Sequence, residues 1–248
     1  MLVLLPPSET KHPGGDGASL DLAALTAPGL TGVRTELVEA LVKLADDVPA
    51  SRTALGVSAA QDDEIARNAA LWTSPTLPAV ERYTGVLYDA LDVRSLTRAQ
   101  RARADARLAV GSALFGVVRA GDRIPAYRLS AGSTLPGLPG LRALWRPALG
   151  PVLAAETGLV VDLRSGAYAA LAPVAGAVTV QVLSERPDGT RAVVSHFNKA
   201  HKGRLARLLA RTTAEPDDVV GLRRLLRRAG LHVEHDGGTA LTLVVAAG

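Results

Sequence analysis

The chain has 248 residues, 48% of them hydrophobic and 21% charged, which is enough apolar material to bury a sizeable core. Aromatic residues are only 3%, so that core is built from Ala, Val and Leu, and the absence of cysteine excludes disulfides, thiolate metal sites and a cysteine nucleophile. The formal charge is +4, and its 28 basic residues, of which only four are Lys, concentrate between Lys199 and Arg228, where they read either as a phosphate-attracting face or as an ordinary solvated helix surface.

In chain order, Leu2–Leu5 reads as a short buried strand, stopped by Pro6 and Pro7, that delivers Ser8 to Lys11 into a glycine-rich loop. Nothing charged precedes this run, so it does not have the pattern of a signal peptide. The glycines Gly14, Gly15 and Gly17 are not followed by Gly-Lys-Ser/Thr, which argues against a P-loop. Helical periodicity covers residues 35–44 and 59–71, with Leu37, Leu41 and Leu44 on one face, and a third helix is expected over about residues 97–118 with Thr97 as its N-cap. Residues 159–163 and 178–183 read as strands, and Arg186-Pro187-Asp188-Gly189-Thr190 as a turn closing a hairpin over 178–197. Pro216 is expected to open a helix through Arg228, ended by Gly230, and residues 241–245 to form a last strand. The longest apolar stretch, residues 167–183, is broken by Pro173, Gly176 and Gln181 and falls short of the roughly 20 apolar residues a spanning helix needs. We find no internal repeat and no linker, so the expectation is one cytoplasmic α/β domain over residues 1–248, with some α+β character: a mixed β-sheet flanked by helices.

Three patterns bear on chemistry. Ser8-Glu9-Thr10-Lys11 matches S-x-x-K, in which a lysine one helical turn away activates a serine, but the flanking Pro6-Pro7 and His12-Pro13-Gly14-Gly15 deny it a helix. Ser8 and Lys11 remain polar groups at a strand exit, where sheet folds place ligand contacts, with a surface turn as the alternative. His196 and His201, and His232 and His235, are spaced like metal ligands, yet only Glu234 and Asp236 adjoin the second pair, on what reads as an exposed turn, and no metal or other cofactor is expected. The segment from Ser195 to Arg204 leaves a strand and enters a helix, so its first amides with Lys199, Lys202 and Arg204 make an anion site or an ordinary basic first turn. Gly29-Leu30-Thr31-Gly32 and Leu135-Pro136-Gly137-Leu138 suggest helix-hairpin-helix contacts to DNA, or simple Pro/Gly turns.

Taken in order, several blocks resemble the YaaA family of peroxide-stress proteins, whose molecular activity is uncertain. The opening strand with its Ser8 and Lys11 spacing resembles an apolar strand followed by Ser-Pro-Ala-Lys-Thr, and Tyr83-Thr84-Gly85-Val86-Leu87-Tyr88 resembles an aromatic-x-Gly-Asp-Val-Tyr segment. The most specific likeness is Ser112-Ala113-Leu114-Phe115-Gly116-Val117-Val118-Arg119 with Ala126-Tyr127-Arg128-Leu129, similar to Ser-Gly-Leu-Tyr-Gly-Val-Leu-Arg-Pro and Pro-Tyr-Arg-Leu, and Trp145 follows at the right distance. Leu163 to Tyr168 and Phe197 to Gly203 add weaker matches, while Val86, Gly166, Ala167 and Ala200 stand where the family pattern has acidic, polar or lysine residues.

The resemblance implies a mixed sheet, duplex DNA bound in a positively charged cleft, and a role in limiting peroxide damage linked to free iron. Two readings follow, both of a monomer outside the membrane. In the first, Lys11, Arg119, Arg128, Lys199, Lys202 and Arg204 contact DNA phosphates or another anion. In the second, Ser8, Lys11, Tyr88, Ser112, Tyr127, Arg128 and Lys199 line a catalytic pocket for a small anionic or nucleotide-like substrate, with Arg128 as a bidentate clamp and Lys11 or Lys199 as acid, base or electrostatic stabiliser. A purely architectural Arg128 would instead pair with an internal acid such as Asp122.

Overall fold

The structure, a computed structural model, describes residues 1–193 and 198–246. From the start of the chain, β1 (Leu2–Leu5) is followed by α1 (Thr31–Leu44), α2 (Val48–Leu55), α3 (Asp62–Ala69), β2 (Leu77–Pro78), α4 (Ala79–Arg82), α5 (Val86–Leu91) and α6 (Arg98–Arg107). Then come β3 (Leu108–Ser112), β4 (Gly116–Arg119), β5 (Arg123–Ile124), α7 (Leu141–Ala154), β6 (Val160–Asp162) and α8 (Gly166–Ala169). The last part holds β7 (Val178–Glu185), β8 (Arg191–Val193), α9 (Asn198–Arg211), α10 (Val219–Arg228), β9 (His232–Glu234) and β10 (Ala240–Ala246). It is an α/β fold, as the order of elements in the sequence predicts.

One mixed sheet runs β4-β3-β1-β6-β7-β10-β9, with β8 paired to the far end of β7 and β2 and β5 forming a separate small ribbon. The five central strands are parallel, while β4, β8 and β9 run antiparallel to their neighbours. Counted along the chain, the parallel strands lie in the order 2-1-3-4-5, so the direction of winding reverses between β1 and β6. In such sheets the crevice beyond the carboxyl ends of the strands at the reversal is where ligands bind. β1, β3 and β6 are buried along their whole lengths, which accounts for their continuous apolar runs.

Several boundaries differ from the sequence reading. Thr97 does cap α6, in a reciprocal box with Gln100, but the helix stops at Arg107 and not near Val118. Beyond it, Leu108–Ser112 becomes a buried strand, because an apolar run of this length fits a central strand as well as a helix and the adjacent sheet edge decides. Helix α10 begins at Val219, where Asp218 supplies the cap by accepting from the Gly221 amide at 2.6 Å. His232–Glu234 is an edge strand where a turn was expected, and the Val178–Glu185 and Arg191–Val193 strands form the expected hairpin as far as it is described. Residues 194–197, with His196 and Phe197, lie outside the described residues.

Neither Pro/Gly loop joins two helices. Pro28–Leu30 is a single 3-10 turn running straight into α1, and Gly137 lies in an irregular stretch that leads into α7. The helix-hairpin-helix expectation therefore fails on its geometry. Two glycines allow close approaches that shape the site: Gly116, at φ 72°, faces the Trp145 ring so closely that a Cβ would lie 2.7 Å from it, and Gly203 lets α9 touch the Leu87 carbonyl of α5. Trp145 is held there by donating to the Ala113 carbonyl at 2.8 Å.

Candidate ligand site at the sheet edge

Pro6 and Pro7 end the β1 ladder, and the chain then crosses the carboxyl edge of the sheet as Ser8 to Lys11. Lys11 makes a single antiparallel bridge with Tyr83, and the next residue is gripped from both sides: the His12 amide donates to the Arg82 carbonyl at 2.8 Å, and Arg82 donates back to the His12 carbonyl. Arg82 is wholly buried and also donates to the Ile124 and Pro75 carbonyls, at 3.0 and 3.1 Å, so three distant segments fix this loop.

The Lys11 ammonium lies 4.2 Å from the centre of the Tyr127 ring and 5.6 Å from that of Tyr83. It donates to the Ser8 carbonyl at 3.1 Å and more weakly to that of Glu9 at 3.5 Å. Among the described residues no carboxylate forms an ion pair with it, because Glu9, its nearest acid in sequence, reaches Arg128 instead at 2.8 Å. Burial is the main reason its pKa falls to about 8; Glu9 and Glu64 oppose the fall, and Arg128 and Arg67 add to it.

Beneath the lysine lies a chain of hydroxyls. Ser112, at the end of β3, accepts from the Phe115 amide at 3.0 Å and bonds the Tyr127 hydroxyl at 2.7 Å, which in turn bonds that of Tyr83 at 2.8 Å. The rings pack edge to face, Tyr127 against Phe115 at 5.4 Å and against Tyr83 at 6.4 Å. Burial pushes Tyr83 up to about 12 and Tyr88 and Tyr127 well above the usual tyrosine range, so all three stay protonated at neutral pH. Tyr88 donates to the Pro6 carbonyl at 2.8 Å and so braces the strand exit.

Arg128 is positioned by its backbone: Asn68 accepts from its amide at 2.8 Å and donates to its carbonyl at 2.9 Å. Its guanidinium pairs with Glu9, and its buried Nε has no hydrogen-bond partner among the described residues. Asp122, the acid an architectural Arg128 would take, accepts from Thr26 and from the Arg119 amide. Behind the site, Arg164 and Asp162 form a buried two-pronged pair at 2.9 and 2.7 Å. Gly111 makes room for it, since a Cβ there would lie 2.9 Å from the Arg164 side chain. Lys202 donates to the Leu163 carbonyl at 3.0 Å, with its pKa lowered by burial against the pull of Asp162. Tyr168, just after β6, is raised above the usual tyrosine range by burial and then by Glu9.

The structure thus gathers Ser8, Lys11, Ser112, Tyr127 and Arg128 at the reversal point, with Tyr88 and Lys202 as flanking braces. It does not bring the remaining cations there. Arg119 lies at the other edge of the sheet, paired with Glu156 at 2.5 Å, because β4 runs back from the Gly116 turn. Lys199 is exposed in the first turn of α9, and Arg204 borders a shallow recess with Arg207 and Arg211 on the side facing α6. Val86, Gly166 and Ala167 are exposed around the same edge as Lys11, while His235 is occupied with the Gly238 carbonyl at 3.0 Å. Glu9, Asn68, Tyr83 and the Asp162–Arg164 pair were not anticipated. Asn68 had one sequence signal, a polar residue three positions from both Ile65 and Leu71 on an apolar helix face.

Residues 1–236 match the family described as peroxide stress protein YaaA. A UPF0246 protein of Corynebacterium efficiens is 51% identical over 99% of this chain and the whole of its own length. Another, from Streptomyces coelicolor, is 48% identical over 94% of this chain and 92% of its own, and one from Shewanella woodyi 29% identical over 84% and 86%. With a match of that extent and relatives at half identity along nearly the entire length, the chain belongs to the YaaA family of peroxide stress proteins.

Proposed function

We propose that this peroxide-stress family member binds a small anionic molecule at the carboxyl edge of its sheet, with Arg128 as the anion contact and Lys11 as the reactive group. The observation that carries this reading is Lys11 itself, a lysine without a carboxylate partner among the described residues, set over aromatic rings where the sheet reverses its winding. The Ser8 hydroxyl shares its loop and the Ser112–Tyr127 hydroxyl pair lies under the ring it rests on, a richer chemistry than phosphate attraction requires. Calorimetric titration with oxalate, inorganic phosphate and a nucleoside monophosphate tests the site. Binding of at least one, lost in Arg128→Ala and in Arg128→Lys, supports it, because an ammonium does not reproduce the planar fork; no binding by any of the three overturns it.

A second reading, DNA binding in the cytoplasm, draws support from another surface. On α10, Arg223, Arg224, Arg227 and Arg228 line a shallow groove of about 350 Å³ and form no ion pairs among the described residues. Mobility shifts at several salt concentrations decide it, since each neutralised phosphate steepens the log-log slope by about 0.9. Glu substitutions at Arg223 and Arg227 should flatten that slope and Lys11→Met should not; a protein that shifts no duplex at low salt does not use this surface for DNA.

A further inference from the structure

Building on the anion site just proposed, we propose that Lys11 is a nucleophile that forms an imine with an aldehyde or ketone carrying a carboxylate or phosphate. Both contacts of the Lys11 nitrogen are carbonyl oxygens, which accept its protons and leave the nitrogen lone pair of the neutral amine uncommitted. The Tyr127 and Tyr83 rings cover one side of the half-buried amine and reduce its hydration, the condition under which lysines serve in Schiff-base chemistry.

The anionic half of the substrate follows from Arg128 and Glu9. The Arg128 side chain is only 16% exposed, whereas Glu9, its partner, is 56% exposed and joins it at a single 2.8 Å contact while the Arg128 Nε is unused. Glu9 is therefore a resident carboxylate occupying the place of an incoming one, and it can return to water when displaced. An incoming carboxylate or phosphate that takes the place of Glu9 on Arg128 Nη1 keeps the guanidinium paired and sets its own charge near Lys11 in place of that of Glu9.

The reaction balances without another reagent. The neutral amine adds to the carbonyl carbon, the nitrogen loses a proton as the oxygen gains one, and the resulting carbinolamine expels water to give the C=N bond. The Ser8 and Thr10 hydroxyls, 3.2 Å apart on the loop that carries Lys11, are the groups we assign to pass a proton to the departing oxygen.

The chain's four lysines, Lys11, Lys43, Lys199 and Lys202, make the test selective within one molecule. The folded protein is treated with glyoxylate and cyanoborohydride, which delivers hydride to the imine carbon and fixes the adduct as a secondary amine. Peptide mapping then compares the four sites. We expect Lys11 to be modified at least about tenfold faster than the exposed Lys43 and Lys199. Oxalate, which carries the charge but no aldehyde, should slow that reaction, and Arg128→Ala should abolish the advantage of glyoxylate over neutral acetaldehyde. Equal labelling of the lysines, or preference for Lys202, overturns the assignment. Oxalate binding by calorimetry without an adduct at Lys11 overturns the imine and leaves the anion site standing, whereas failure of oxalate and the other anions to bind removes the underlying reading as well.

Discussion

The two edges of the sheet make opposite use of the same strands. At the carboxyl edge, side chains fill the space: Lys11 lies against tyrosine rings, Arg128 meets Glu9, and Arg164 and Asp162 are locked together. At the amino edge, Gly150, Ala154, Gly158, Gly176 and Ala177 leave a recess of about 550 Å³, much larger than the 220 Å³ hollow beside Tyr83 and Tyr88. Yet two of the three acids around the larger recess are already committed, Glu156 to Arg119 and Asp218 to the cap of α10. Size and chemistry are thus separated by the length of the strands. Parallel strands send their carboxyl ends and the following loops to one side, where reactive side chains collect, and leave the other side to packing.

The sharpest way to break this contrast is Arg164→Ala, which strands Asp162 in the interior behind the site. We expect a loss of about 3–5 kcal/mol, read by denaturant unfolding. Tyr127→Phe leaves Ser112 and Tyr83 without their shared hydroxyl partner and should cost about 1–3 kcal/mol, read by denaturant unfolding. At the amino edge, Asp218→Ala removes only a helix cap and should cost about 1 kcal/mol, with no change in anion affinity.

The smallest effect is a trend with pH. Because the Lys11 pKa is about 8 in the folded protein against an ordinary 10.5, the folded state holds fewer protons between those values. The penalty is complete below pH 8 and recedes as pH rises, so stability relative to Lys11→Met should climb from pH 8 to 10. The charged groups facing Lys11, namely Glu9, Glu64, Arg67 and Arg128, and the neighbouring Tyr83 and Tyr127 are common to both proteins. A flat difference would show that the amine is better hydrated than its surroundings imply.

How much of this could be read in advance varies with the range of the interaction. Strands β1, β6, β7 and β10 announced themselves as apolar runs between turn residues, and Thr97 and Gly230 marked helix ends, because those signals are local. The junction of α6 and β3 was invisible, since no glycine or proline separates Arg107 from Leu108 and pairing with β1 makes the apolar run a strand. In the site, Ser8, Lys11, Tyr127 and Arg128 were legible from motif position, whereas the grip of Asn68 on Arg128 spans 60 residues and left no spacing to read. Arg119 was placed with them because it shares a motif with Ser112. A single reversal at Gly116 carries it to the opposite edge.

The separation of β1 from its partners also shapes how the protein is made. Leu2–Leu5 leaves the ribosome about a hundred residues ahead of its first neighbour, Leu108–Ser112, and further still ahead of Val160–Asp162. At roughly 5–20 residues per second, an apolar strand with two empty edges waits about 5–20 s for a mate. Such a segment is a template for pairing between nascent chains. Its brevity, and the two prolines that close it and offer no amide to a neighbouring strand, limit that hazard until the rest of the sheet arrives.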